Sequence, residues 1–188
     1  MNNLRSQVIK YAKMLNSKKL SALRSGNISA RYKDGFLVTP SGAKYSSLKK
    51  KDIVFVSLKG EFDKKKGIPS SEWRFHQDIY INKVGAKAIV HAHSNYATAI
   101  SAHGNGIPAF HYMVAMAGGN DIKCAEYATY GTRELSKNIL KALRQRNACL
   151  IGNHGQIAFS ENLSKAFELA EEVENLSNQY IKALKIGK

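Results

Sequence analysis

The sequence predicts a single α/β domain, and three observations lead to this prediction. Its 188 residues, 44% of them hydrophobic, are enough to bury a core without disulfides. Apolar residues recur at helical spacing near both ends of the chain, over residues 4–15 and again from about Ser164 to Tyr180. Short apolar runs typical of strands lie between them, at residues 53–56, 89–93 and 148–151. Because the chain shows no repeat or linker, we expect one domain over residues 1–188.

The charge of the chain bears on its partners. A formal net charge of +15 makes nucleic acid a partner to consider, because basic surfaces attract phosphate. The lysines are spread along the chain, however, and the short runs at 49–51 and 64–66 are not interleaved with aromatic residues that could stack on bases. We therefore expect a solvated basic surface that attracts small anions, and no nucleic-acid function.

The sequence also indicates where the protein works. No apolar run approaches the roughly 20 residues that span a bilayer, and the N-terminal stretch does not resemble a secretory signal. Cys124 and Cys149 form no C-x-x-C pair and lie in apolar surroundings, which predicts reduced core thiols. We expect a cytoplasmic protein without a membrane partner.

The first part of the chain predicts a helix followed by a hairpin. Strands at 27–32 and 36–39 flank the turn signal Lys33-Asp34-Gly35. Two tight corners, Gly26-Asn27 and Ser41-Gly42, expose amides and small polar groups. Either corner could hold a phosphate, although ordinary turn chemistry explains both equally well. The apolar run 53–56 then predicts an inner strand.

A second helix is predicted to open at Pro69-Ser70-Ser71-Glu72 and to stop at Gly85. Ser70 or Ser71 can cap this helix, and the free amides at its start also suit a phosphate. Glu72 is explained as a first-turn acid favoured by the helix dipole. The sequence alone leaves capping and anion binding open.

Two histidines on the next strand are the strongest chemical signal. Side chains alternate along a strand, so His91 and His93 project to one face, whereas Val90 and Ala92 project to the other. Two imidazoles at this spacing can bind one divalent ion, or they can be core histidines that hydrogen bonds satisfy. His154 lies in a predicted turn between Gly152 and Gly155, where it could approach the same ion.

The middle of the chain is rich in loops. Residues 101–128 carry several glycines and include His111 and Tyr112, and long irregular segments in compact domains tend to be functional. After this stretch, a helix is predicted from Thr132 to near Asn147, followed by two strands that flank His154. Ser94 is predicted to cap the short helix after the histidine strand.

These residues together resemble the class II aldolase and adducin-head family, and within it the aldolases that act on L-fuculose 1-phosphate. No single motif is specific, but all occur in the family's order from near the N-terminus to past residue 155. The matching segments are Gly26-Asn27-Ile28-Ser29, Thr39-Pro40-Ser41-Gly42, Pro69-Ser70-Ser71-Glu72-Trp73-Arg74-Phe75-His76, His91-Ala92-His93, residues 107–113, residues 127–135 and Asn153-His154-Gly155.

The resemblance implies a three-layer α/β/α fold with a central, largely antiparallel sheet, and a homotetramer with active sites between subunits. It implies that Zn²⁺ is the cofactor, with Co²⁺ or Mn²⁺ possible, and that Glu72 lies at the open side of the metal. The implied metal ligands are His91, His93 and His154. The implied phosphate-binding positions are Asn27, Ser41, Gly42, Ser70 and Ser71.

The implied reaction is the reversible cleavage of a ketose 1-phosphate into dihydroxyacetone phosphate and a small aldehyde such as L-lactaldehyde. Three neutral imidazoles leave zinc its full charge and an open position, which suits a Lewis acid that stabilises an enediolate. Glu72 would then move a proton as general base. Tyr112 matches a phenol contributed by the adjacent subunit, so that a lone chain would have an incomplete site.

Alternatives within the same fold are a sugar-phosphate 4-epimerase and a methylthioribulose-1-phosphate dehydratase. Similar epimerases place an acid near Tyr112, and residues 110–117 contain none, which favours the aldolase. An adducin-like interaction module without a catalytic site is the non-enzymatic alternative.

Asn153 departs from similar aldolases, which carry histidine there. Those aldolases also continue beyond the position of Lys188 into a tail over the aldehyde end, so the sequence leaves the aldehyde open.

Overall fold

The computed structural model describes residues 1–187, so Lys188, the last residue of the predicted domain, lies outside the described residues. Helices and strands mix along the chain, as predicted. The α-helices are α1 Asn2–Ser17, α2 Trp73–Asn82, α3 Asn95–Ser101, α4 Arg133–Ala142 and α5 Leu163–Ile186. The strands are β1 Asn27–Tyr32, β2 Gly35–Val38, β3 Val54–Ser57, β4 Ala88–Ala92, β5 Cys124–Ala125, β6 Ala148–Ile151 and β7 Gly155–Ser160.

These strands form one sheet in the order β3-β2-β1-β4-β7-β6-β5. Every neighbouring pair is antiparallel except β5 and β6, which are parallel. The predicted largely antiparallel sheet is therefore confirmed. The histidine strand β4 lies at its centre, with three strands on each side, and all five of its residues are buried.

Two separate apolar clusters form the core. One contains buried residues of α1, α3 and α5 together with Ile28, Val90 and Ala158 from the sheet. The other contains buried residues of α2 and α4 together with Phe36, Ile89 and Ile157. Because Ile89 and Val90 are consecutive on β4, their side chains point to opposite faces, and each face of the sheet has its own core.

Several local predictions need correction. The strand at 53–56 is not an inner strand: β3 pairs only with β2 and forms an edge of the sheet. Val54 and Val56 are buried whereas Phe55 and Ser57 are half-buried, which is the alternation of a strand with one covered face. The predicted fourth helix is also shorter than expected, because α4 ends at Ala142 and not near Asn147.

The serine side chains considered as caps form none, although Ser94 does occupy the N-cap position of α3. Glu72 occupies the N-cap position of α2 without a side-chain cap, and the Ser70 hydroxyl accepts a hydrogen bond from the Glu72 amide instead. Ser94 precedes α3, but the carboxylate of Glu174 on α5 accepts from the Tyr96 and Ala97 amides, both at 2.9 Å. A distant acid thus satisfies a helix end that local sequence cannot predict.

The hairpin prediction is confirmed with one refinement. Tyr32 pairs with Gly35, so the two turn residues are Lys33 and Asp34, and Lys33 adopts a φ of +51°. No helix among residues 1–187 is both long and apolar enough to cross a membrane.

Candidate metal centre and adjoining pocket

The sheet brings the three predicted histidines together. His91 lies on β4, His93 follows its end, and His154 lies in the tight turn from β6 to β7. A Cβ atom on Gly155 would lie 2.3 Å from the carbonyl oxygen of Ala92, so only glycine permits this approach of β7 to β4. The approach places the turn that carries His154 beside the end of β4.

The side chains of the three histidines and of Glu72 converge on one point. The Nε2 atoms of His91 and His93 are 2.9 Å apart. The carboxylate of Glu72 spans two imidazoles, with Oε2 3.2 Å from Nε2 of His91 and Oε1 3.1 Å from Nε2 of His154. One ligand atom from each of the four residues lies within 4.8 Å of the others. The spacing therefore suits a shared cation.

Hydrogen bonding at the cluster fits a metal ion better than it fits a satisfied polar core. Nδ1 of His91 donates to the backbone carbonyl of Gln156 at 2.8 Å, so Nε2 of the neutral ring carries a lone pair. That lone pair faces Nε2 of His93 and a carboxylate oxygen of Glu72. Oε1 of Glu72 is buried and accepts no well-aligned hydrogen bond among the described residues. A cation between these atoms would satisfy them all.

The electrostatics of the cluster favour a neutral His93 ring and an ionised Glu72. Burial raises the pKa of Glu72, but the neighbouring His91 and His154 lower it by a larger amount. The pKa of Glu72 therefore lies below its ordinary value. Burial, together with the nearby His91 and His154, lowers the pKa of His93 to about 3, although Glu72 opposes this shift. Neutral imidazole and carboxylate are the protonation states in which these groups bind metals.

A cavity of about 380 Å³ opens beside the cluster, lined in part by Glu72, His93 and His154. All the positions that the sequence assigned to phosphate line it too: Asn27, Ser41, Gly42, Ser70 and Ser71. Gly42 has a φ of +65°, and nothing lies within 4 Å of a Cβ built on it, so its backbone faces open space. Amides, hydroxyls and the candidate metal centre thus share one pocket.

Sequence reasoning did not identify Arg24 and Tyr45, which also line this cavity. Arg24 donates to the carbonyl of Gly42 at 3.0 Å, and Tyr45 donates to the carbonyl of Gly26. Leu23, next to Arg24, has a φ of +53°. The only feature of the sequence that could have indicated Arg24 is a basic residue in a segment rich in small residues, and such segments are too common to predict a binding site. Among the described residues, Arg24 adds the only Lys or Arg side chain to the lining of the pocket.

Tyr112 is not brought to the cluster within one chain. Its side chain is 81% exposed, at the start of a 3₁₀ helix that spans Tyr112–Ala117, and it does not line the cavity. The structure contains no partner chain, so a role for this phenol in a neighbouring subunit stays a prediction.

The sequence was compared with protein families and with known proteins. Residues 6–181 match the family described as the Class II Aldolase and Adducin N-terminal domain. The chain belongs to this family. It is 46% identical over 185 residues to the L-fuculose phosphate aldolase of Escherichia coli K12, which covers 98% of this chain and 86% of that protein. It is also 46% identical over 184 residues to the 5-methylthioribulose-1-phosphate/5-deoxyribulose-1-phosphate aldolase of Rhodospirillum rubrum, covering 98% and 83% of the two chains.

Solved structures agree with this assignment. A structure of L-fuculose 1-phosphate aldolase matches 100% of this chain and 89% of its own, at 39% identity and a TM-score of 0.96. The l-fuculose-1-phosphate aldolase of Thermus thermophilus matches at 27% identity and a TM-score of 0.85, covering 96% and 94% of the two chains. The chain is therefore a class II aldolase, a metal-dependent aldehyde-lyase, and the predicted resemblance is confirmed.

Proposed function

We propose that this class II aldolase reversibly cleaves a ketose 1-phosphate, L-fuculose 1-phosphate or a similar sugar, into dihydroxyacetone phosphate and a small aldehyde such as L-lactaldehyde. The observation that carries the proposal is the position of Glu72. This acid contacts His91 and His154 and also lines the pocket that holds the five candidate phosphate-binding residues. A carbon skeleton bound by its phosphate would thus extend toward both the base and the metal.

The proposed cofactor is Zn²⁺, held by His91, His93 and His154. Imidazole nitrogens are common zinc ligands, and the same ligand set also accepts Co²⁺ or Mn²⁺. When bound, the ion supplies a positive charge that stabilises negative charge developing on the oxygens of the substrate. His91 would bind the ion through Nε2, because its Nδ1 donates a hydrogen bond to the backbone carbonyl of Gln156.

The protein's own groups divide the remaining work. Glu72, ionised and 6% exposed, takes or returns a proton at C3 of the sugar, the carbon that loses its bond to the aldehyde. The hydroxyls of Ser41, Ser70 and Ser71, with the side chain of Asn27 and the backbone of Gly42, bind the phosphate. Tyr112 from a neighbouring subunit hydrogen-bonds the aldehyde oxygen as this oxygen gains or loses its proton.

This last role requires an assembly, and we propose a homotetramer with active sites between subunits. The exposure of Tyr112 supports it, because a phenol that is 81% exposed in one chain is free to reach another.

We further propose that residues 1–188 form a single domain with a three-layer α/β/α arrangement, supported by the two cores on opposite faces of the sheet. The free thiols Cys124 and Cys149 suit a reducing cytoplasm.

A second candidate substrate has support of its own. The relative from Rhodospirillum rubrum is named for 5-methylthioribulose 1-phosphate and 5-deoxyribulose 1-phosphate, and its identity of 46% equals that of the fuculose phosphate aldolase. Cleavage of these sugars between C3 and C4 also yields dihydroxyacetone phosphate, with methylthioacetaldehyde or acetaldehyde as the second product. The candidates therefore share the phosphate end of the pocket and differ only in the aldehyde.

The test is condensation of dihydroxyacetone phosphate with each of the three aldehydes, compared by kcat/KM. Highest kcat/KM with L-lactaldehyde supports L-fuculose 1-phosphate, and highest kcat/KM with methylthioacetaldehyde or acetaldehyde supports the second candidate. Inversion at C4 of a pentulose phosphate without any condensation would establish the epimerase, and loss of water from methylthioribulose 1-phosphate the dehydratase. Protein that binds no metal and condenses no aldehyde would support an adducin-like module.

A further inference from the structure

A line of buried polar side chains leads away from Glu72 into the protein. Tyr80 contacts Ser29 at 2.7 Å, Ser29 contacts Nδ1 of His76 at 2.7 Å, and Nε2 of His76 contacts Oδ1 of Asn27 at 2.5 Å. Nδ2 of Asn27 then donates to Oε2 of Glu72 at 2.9 Å. None of the five residues is more than 6% exposed. Four hydrogen bonds therefore link a buried tyrosine to the proposed catalytic base.

The pattern follows from the geometry of one helix and one strand. Glu72, His76 and Tyr80 recur every four residues and so share one face at and along α2. Asn27 and Ser29 are two residues apart on β1 and point to the same side of the sheet. The two rows face each other, so that each side chain of one row contacts a side chain of the other.

The direction of every bond in this line is determined from the Glu72 end. An ionised carboxylate only accepts, so Asn27 turns its NH₂ group to Glu72 and its oxygen to His76. His76 must then carry its proton on Nε2, which leaves Nδ1 to accept from the Ser29 hydroxyl. Because Ser29 has a single proton, Tyr80 must donate to Ser29. The only arrangement that satisfies all the groups is thus a one-way series of donors from Tyr80 to Glu72.

We infer that His76 is a positioning residue for Glu72, acting through Asn27. An asparagine amide has nearly the same shape in two orientations, and its reversed form would present an oxygen to the carboxylate and repel it. The Nε2 proton of His76 permits only the orientation that donates to Glu72. The bond holds Oε2 beside His91 while Oε1 stays beside His154. The role of the positioned acid as a base rests on the proposed function, whereas its orientation rests on the contacts alone.

A pair of substitutions at His76 separates positioning from packing. In His76→Gln, the side-chain NH₂ can replace Nε2 as donor to Asn27, whereas His76→Leu fills similar space without a donor. We expect kcat to fall about 10- to 100-fold in His76→Leu, the usual cost of losing a partner behind a metal-site residue, and to recover most of its value in His76→Gln. Ser177→Ala is the matched control, because its buried hydroxyl donates to Val173 on α5, outside this series.

A crystal structure of the His76→Leu variant gives a readout that does not depend on activity. We expect the Asn27 amide to be reversed or the Glu72 carboxylate to be displaced from His91. Should this variant fail to fold, Ser29→Ala, which removes the donor to His76, takes its place with a smaller expected loss in kcat. Tyr80→Phe, at the far end of the series, should stay close to the wild-type kcat.

The outcomes are separable. Equal kcat in the Leu and Gln variants, or an unmoved Asn27–Glu72 pair in the crystal structure, would overturn the positioning role of His76. If the wild-type protein condenses none of the aldehydes, the proposed function fails, and the crystal structure alone decides whether His76 orients Glu72.

Discussion

Nδ1 of His91 donates a 2.8 Å hydrogen bond to the backbone carbonyl of Gln156 on the neighbouring strand. The register of β4 against β7 places this carbonyl, since Ala92 pairs with Gln156 and His91 pairs with Ile157. A backbone acceptor cannot be removed by exchanging a side chain. The orientation of the first candidate ligand is therefore set by the pairing of two central strands, and the remaining features of the site can be tested around it.

Substitution of Glu72 by glutamine tests its role as the base. Glu72→Gln keeps the size and the buried position but cannot take up a proton. We expect kcat for condensation to fall about 10²- to 10⁴-fold, the usual contribution of general base catalysis, while the bound metal stays because three imidazoles remain. Steady-state kinetics and elemental analysis measure the two effects. The exposed acid Glu61 provides the control Glu61→Gln, and a Glu72→Gln variant with wild-type kcat would exclude this acid as the base.

Two glycines provide a matched test of the phosphate site. Gly42 lines the pocket and Gly104 does not, yet their φ values are +65° and +68° and nothing lies within 4 Å of a Cβ atom on either. Each substitution by alanine should therefore lower the free energy of unfolding by a similar amount, about 1–2 kcal/mol. Only Gly42→Ala should also raise the KM for the sugar phosphate, because its methyl group would occupy the proposed anion site. Equal KM values in the two variants would argue against phosphate at Gly42.

Arg24 should add a charge to this anion site. Its side chain lines the pocket and donates to the carbonyl of Gly42, so removal of the guanidinium should weaken binding of a phosphate. We expect Arg24→Ala to raise KM about 10-fold, with a weaker dependence of KM on ionic strength, and to leave metal content unchanged. Lys44→Ala, at an exposed position that does not line the pocket, is the control. If Arg24→Ala and Lys44→Ala raise KM equally, the general positive field of the protein, and not a specific contact of Arg24, assists phosphate binding.

Complementation between two inactive variants tests the proposed intersubunit site. Glu72→Gln chains supply an intact Tyr112, and Tyr112→Phe chains supply an intact Glu72. If each site combines the two residues from different subunits, a 1:1 mixture that exchanges subunits should regain roughly one quarter of wild-type activity. Activity assays after mixing, with sedimentation to establish the tetramer, measure this. Exchange of subunits without recovery would contradict a shared site.

Part of this site could be predicted because it follows from strand geometry. The alternation that places His91 and His93 on one face is a property of two nearby positions, and the structure brings their Nε2 atoms to 2.9 Å. The convergence of His154 and Glu72 required the resemblance to a family, because these residues meet only through the packing of α2 and of the turn between β6 and β7.

Other features depend on contacts between distant parts of the chain, which leave no local pattern. Glu174 satisfies the start of α3 from a helix 77 or 78 residues away, so the serine expected there is free to bind Gln156. The edge position of β3 likewise depends on which strands pair, and a short apolar run gives no information about that choice. Arg24 reaches the pocket only because its loop folds back over Gly42.

The metal content of the purified protein tests the central claim most directly, because the proposed site depends on one bound cation. Elemental analysis should find about one zinc ion, or one cobalt or manganese ion, per chain in the wild-type protein. The same value is expected for His103→Ala, which changes an exposed histidine outside the cluster. His154→Ala should lose most of the metal. Equal metal content in His154→Ala and the wild type, or no metal in the wild type after growth with added zinc, would contradict a site formed by these imidazoles.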